Sequence, residues 1–106
     1  MDSSKYEVIL TERAREDLNE VYDYIANSLM AENTAINLYK KILNDILRLE
    51  EYPEAYSIIE RYKDNKYQYR KLIIKNYVAV YRIDKLNRKV YIVRIVYGGR
   101  NYINEI

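Results

Sequence analysis

The hydrophobic period of this chain changes once, near Pro53, and that change restricts the fold more than any other feature. Before it, Ala14, Leu18, Val21, Tyr22, Ile25 and Leu29 trace one helical stripe. The spacing predicts a helix over 12–29, with Thr11 as N-cap and Glu12 in the first turn, where its charge suits the helix dipole. Asn33 or Thr34 can cap a second helix carrying Ala35, Leu38, Tyr39, Ile42, Ile46 and Leu49. Ile36, Leu43 and Leu47 widen its stripe, which predicts burial on two sides. Glu51-Tyr52-Pro53 ends it, because proline lacks an amide donor and disfavours helical geometry in the residue before it. After the change, residues 67–75, 77–83 and 89–97 are dense in β-branched and aromatic side chains. Lys75-Asn76 and residues 84–88 separate them as hairpin turns. With YEVIL (6–10) as a short first strand and polar residues 54–66 as a loop, the expected class is α+β, a helical hairpin packed on a small antiparallel sheet.

A chain of 106 residues has room for one core, so residues 1–106 are expected to form a single domain. Absent residue types narrow the chemistry. With no cysteine and no histidine, disulfides, thiolate metal sites, Ser-His-Asp triads and histidine acid–base pairs are excluded. Any reaction must use Lys, Arg, Tyr, Asp or Glu, and neither a metal nor an organic cofactor is expected. The first residues carry charges where a signal peptide needs an apolar stretch, and no run approaches the roughly 20 apolar residues of a membrane span. A cytoplasmic protein without membrane contacts is expected.

Charge is split along the chain. Residues 1–60 hold six Lys/Arg against thirteen Asp/Glu, a net of −7, whereas residues 61–106 hold twelve against three, a net of +9. Such a dipolar domain can attract a polyanion with its basic part, and the sheet face away from the helices is expected to carry much of that charge. All fourteen aromatic residues are tyrosines, eight of them in the basic part. Tyrosines among cations can stack on bases while the cations hold phosphates; as strand formers they also fill cores.

The order of these elements and particular residues resemble the RelE/ParE superfamily, toxins of type II toxin–antitoxin modules. The resemblance spans nearly the whole chain: YEVILTERAREDLNEVYDYI, Leu49 and Pro53, YRKLIIKNYVAVYRID, and VYIVRIVYGGRNY. It implies a β-α-α-β-β-β fold, a cognate antitoxin and growth inhibition once that antitoxin is lost. The superfamily divides by target. RelE-like members cleave mRNA on the ribosome without a metal, by attack of the ribose 2′-hydroxyl on the adjacent phosphate; ParE-like members bind and inhibit DNA gyrase. The first reading taken is the endoribonuclease, the alternative is the gyrase inhibitor, and a further one is a degenerate module that only binds antitoxin.

For a nuclease the resemblance nominates Arg100, in YGGRNY, to contact the scissile phosphate, with Tyr97 and Arg70 beside it and with Lys71, Lys75 and Tyr102 on the substrate. An arginine can stabilise a phosphorane electrostatically, and lysine or tyrosine can share proton transfers if clustered positive charge lowers its pKa. Tyr97 can equally close a sheet edge. Strict alternation places Arg94 with Val90, Ile92 and Val96, opposite Tyr97 unless a bulge intervenes, and leaves it a structural partner for a carboxylate such as Asp17. Two departures from the nuclease pattern stand out. Val78 follows Tyr77 where an arginine is common, and only Tyr102 can stand for the tyrosine such enzymes carry after the matching arginine. The acidic residues Glu12, Glu16, Asp17, Glu20 and Asp23 read as a solvated helical face, and Asp84 stands alone in a turn.

Overall fold

The computed structural model describes residues 5–60 and 67–99. Strand β1 (Glu7–Leu10) leads into helix α1 (Glu12–Asp23), which continues as a π-helical turn over Tyr24–Ser28. Helix α2 (Glu32–Leu47) ends in a 3₁₀ turn over Arg48–Glu50. Strands β2 (Tyr69–Ile74), β3 (Tyr77–Asp84) and β4 (Lys89–Tyr97) follow.

Local chemistry accounts for the helix ends. Thr11 caps α1 as expected, its Oγ1 accepting from Ala14 N–H at 3.2 Å. The wider turn at 24–28 keeps Ile25 buried, and Met30, at φ 54°, takes the left-handed position that ends the helix while Ala31 N–H returns to Ile25 O at 3.0 Å. Helix α2 starts ahead of the expected caps: Ala31 is its N-cap and makes no side-chain cap bond, so Asn33 and Thr34 lie inside the first turn.

The sheet is mixed, in the order β1-β4-β3-β2. This corrects the expected antiparallel sheet. The meander β2-β3-β4 is antiparallel, but β1 returns to β4 in parallel, pairing Glu7 with Lys89 through Leu10 with Ile92. The connection between them contains the helical hairpin, long enough for a parallel crossover, which a two-residue turn cannot make. Lys75-Asn76 forms the β2-β3 turn, with Lys75 at φ 56°.

Both helices pack on one sheet face, where Ala14, Leu18, Ile42 and Ile46 meet Leu72, Ile74, Ala79, Val90 and Ile92. The opposite face is less basic than expected at its centre, which holds a second apolar cluster of Ile59, Tyr69, Val78, Val80 and Val96. Cross-strand register puts Lys71, Arg82 and Lys89 around it.

The described part of the expected loop 54–66 is tied down along the β2 edge. Ile59 N–H donates to Tyr69 O at 2.8 Å, Lys71 N–H donates to Ser57 O at 2.9 Å, and Ile58 bridges to Arg70. The segment shields an edge that would otherwise be open to strand pairing. Tyr81, with no exposed surface, anchors its start by donating from its hydroxyl to Pro53 O at 2.7 Å. Burial pushes the Tyr81 phenol well above its ordinary value of 10.0. Between about pH 10 and that higher value the unfolded chain loses a proton that the folded chain keeps, so folded stability falls as pH rises. Tyr81→Phe is expected to cost about 1–1.5 kcal/mol at neutral pH and to remove this part of the alkaline decline; urea midpoints at pH 8 and pH 10.5 measure both.

Candidate functional site

At the far end of the sheet β4 runs out beside the β2-β3 turn. Tyr97 pairs with Tyr77 across the strands, the rings meeting edge to face at 6.0 Å between centroids and 75° between planes. Gly98 N–H donates to Asn76 O at 2.8 Å and extends the pairing by one residue. Neighbouring side chains come close to both glycines. A Cβ on Gly98 would press on Val78 Cγ2 at 3.0 Å, and one on Gly99 would fall on the Tyr97 ring. Lys71, Ile73, Lys75, Tyr97 and the Gly98-Gly99 backbone border a depression of about 390 Å³. Three nominated residues therefore come together. Arg100 and Tyr102, the fourth and fifth, lie outside the described residues.

Arg70, the remaining nominee, is not brought to this depression. Its strand turns Leu72 and Ile74 toward the helices, and Arg70 by alternation with them. Its Nη1 donates to Tyr56 O at 2.7 Å and to Glu54 O at 3.2 Å, holding the segment after α2. Burial raises the Tyr77 phenol above its ordinary value, and neighbouring Tyr24 and Tyr97 raise it further. Among the described residues no group of three His, Cys, Asp or Glu side chains is placed to hold a metal ion.

Arg94 and Asp17 form a structural pair. Arg94 Nε donates to Asp17 Oδ2 at 2.7 Å, Nη2 donates to Oδ1 at 3.2 Å, and Ile95 N–H donates to Oδ2 at 2.9 Å. Asp17 is 4% exposed, so it is no part of a solvated face. It closes the stretch of β4 edge that β1, ending opposite Ile92, leaves uncovered. A bulge does intervene, but at Val93: Tyr81 pairs with Ile92 and Val80 with Arg94. The bulge moves Val90 and Ile92 to the face opposite Arg94 and Val96, while Arg94 and Tyr97 remain on opposite faces. The Arg94 guanidinium reaches round the edge to Asp17.

One residue was not among those nominated. Arg82 lies between two tyrosines, 4.1 Å from the Tyr67 ring centroid and 4.3 Å from that of Tyr91. Alternation within single strands shows three polar residues on one face; only the register of β2, β3 and β4 shows that they stack.

The model of the family described as ParE toxin of type II toxin–antitoxin system, parDE, matches residues 8–102. The chain belongs to this family. Among solved structures this ParE-family chain is similar to the chromosomal ParDE toxin–antitoxin system from P. aeruginosa, with a TM-score of 0.72 and 18% identity over 90% of this chain and 98% of that one. It is similar to the RelBE toxin–antitoxin complex of Mycobacterium tuberculosis, with a TM-score of 0.66 and 17% identity over 91% and 94%. A third likeness is to the archaeal RelE–RelB complex from Pyrococcus horikoshii, with a TM-score of 0.61 and 15% identity over 91% and 98%. At such identities the likeness is one of fold. No curated protein matches the chain. Among the described residues no helix is long and apolar enough to cross a membrane.

Proposed function

We propose that this ParE-family chain is a growth-inhibiting toxin that acts by binding its target, DNA gyrase, rather than by cleaving mRNA, and that a cognate antitoxin restrains it in the cytoplasm. The observation that carries the choice is the separation of Arg70 from Tyr97, Lys71 and Lys75. The nuclease reading needs these groups around one phosphate, and Arg70 is instead engaged by Glu54 O and Tyr56 O. The family match and the likeness to a ParDE system favour the ParE branch. The antitoxin is expected to present an acidic segment to the basic second half, neutralising cations and covering the depression beside Tyr97.

The test is brief induction without antitoxin, followed by plasmid topoisomer analysis and primer extension on a reporter mRNA from the same cells. Relaxed plasmid and intact message are expected. Discrete mRNA cuts with normal supercoiling overturn the proposal in favour of the endoribonuclease, and absence of any growth effect makes the chain a module that only binds antitoxin.

A further inference from the structure

At the end of the sheet remote from Tyr97, a cleft of about 440 Å³ is lined by Tyr67, Gln68, Arg70, Arg82, Asp84 and Lys85. We infer that this cleft binds the phosphate backbone of single-stranded nucleic acid, with Arg82 as the phosphate-contacting residue and Tyr67 as a base-stacking platform. The inference is independent of the gyrase reading, since it concerns a different surface.

One guanidinium group is held ready here. Arg82 has its two faces covered by Tyr67 and Tyr91, which leaves the edge of its fork, where all its N–H donors lie, as the part able to meet a ligand. Among the described residues no hydrogen bond or ion pair engages those donors. A planar fork fixed beforehand loses little freedom when it meets a phosphate. Arg70 belongs to the other face of the sheet, where its Nη1 is engaged by two backbone carbonyls, and it contributes only its positive charge to the cleft. Lys85 adds a cation, shared with Glu54 at 3.4 Å. Asp84, which also lines the cleft, keeps its negative charge and is turned to the 84–87 turn, Oδ1 accepting from Asn87 N–H at 3.2 Å and Oδ2 from Asn87 Nδ2 at 2.9 Å.

Aromatic content decides between classes of polyanion. Acidic protein segments need only the cations, and duplex DNA offers no free base face, whereas an unpaired base can stack on the exposed ring of Tyr67, which is 41% exposed beside the cleft. The basic second half of the chain supplies the attraction that brings a strand to this face.

The experiment is fluorescence anisotropy of the full chain with fluorescein-labelled dT20 and U20 between 50 and 200 mM NaCl, comparing wild type, Arg82→Gln, Arg82→Lys and Lys85→Gln, each first checked by thermal melting. Wild type is expected to bind both oligomers with affinity falling steeply as salt rises. Arg82→Gln should weaken binding roughly tenfold or more and lower the log–log salt slope by about 0.7, one phosphate contact on a single strand. Arg82→Lys should also weaken it, because charge is kept but the stacked fork is lost. If Arg82→Gln does not fold, Lys85→Gln carries the test through a smaller drop in affinity and slope. Failure of wild type to bind either oligomer, unchanged binding by a folded Arg82→Gln chain, or competition by polyglutamate equal to that of an oligomer of the same charge would each overturn the inference. Loss of oligomer binding in a variant that still relaxes plasmid leaves the gyrase reading intact, and the converse separates the two failures.

Discussion

Asp17→Ala is expected to destabilise the fold by about 3–5 kcal/mol, the usual cost of breaking a buried ion pair from one side. Three donors depend on this carboxylate: Arg94 Nε, Arg94 Nη2 and Ile95 N–H. Without it a mostly buried guanidinium loses a charged partner and a buried backbone donor loses its acceptor. Domains of this size are stable by about 5–15 kcal/mol in total, so the loss is a large share. Two further variants locate the effect. Asp17→Asn should cost less, since its amide oxygen can still accept from Ile95 N–H. Arg13→Ala, which removes a 3.6 Å contact from a side chain 56% exposed, should change stability by no more than about 0.5 kcal/mol. Urea midpoints for the three chains decide it, and an Asp17→Ala chain as stable as wild type would remove the carboxylate's role in closing the β4 edge.

Ile42→Ala should cost about 2–5 kcal/mol by a different route. Ile42 has no exposed surface and sits in the middle of α2, in the cluster with Leu72, Ile74 and Ile92 beneath. Truncation removes apolar contacts and leaves a void between two rigid layers that close only in part. The same helix provides the control. Leu47 is 51% exposed, and Leu47→Ala removes little buried surface, so about 0.5 kcal/mol or less is expected. Guanidinium unfolding of both variants tests whether α2 faces the sheet as described.

Much of this architecture is legible in the sequence because local rules govern it. The helical stripe from Ala14 to Ile25, the Thr11 cap, the two-residue turn at Lys75-Asn76 and the three meander strands each depend on neighbours within a few positions. The Asp17–Arg94 pair was also within reach, since an arginine buried in a strand needs a carboxylate. Long-range register was not. The parallel return of β1, the bulge at Val93 and the capture of Arg70 by carbonyls of the segment after α2 depend on which residues lie opposite one another across the sheet. That is also why Arg70 could be nominated for the Tyr97 end and Arg82 passed over: type and spacing identify a cation, but only the register decides which end of the sheet it serves. For Arg100 and Tyr102 the sequence reading is the whole account, because both lie outside the described residues.

The parallel pairing of β1 with β4 also governs when the chain can become a folded object. Glu7 waits for Lys89, and Asp17 for Arg94, so each finds its partner only after the second helix, β2 and β3 have been synthesised. Contacts this distant in sequence carry a high loop-closure cost and form late. While translation is still short of β4, the helical hairpin exposes its sheet-facing stripe and the β1 edge has no neighbour. The sheet therefore closes only with completion of β4, and a transcript truncated before β4 yields a chain that can neither close its sheet nor present the Tyr97 end.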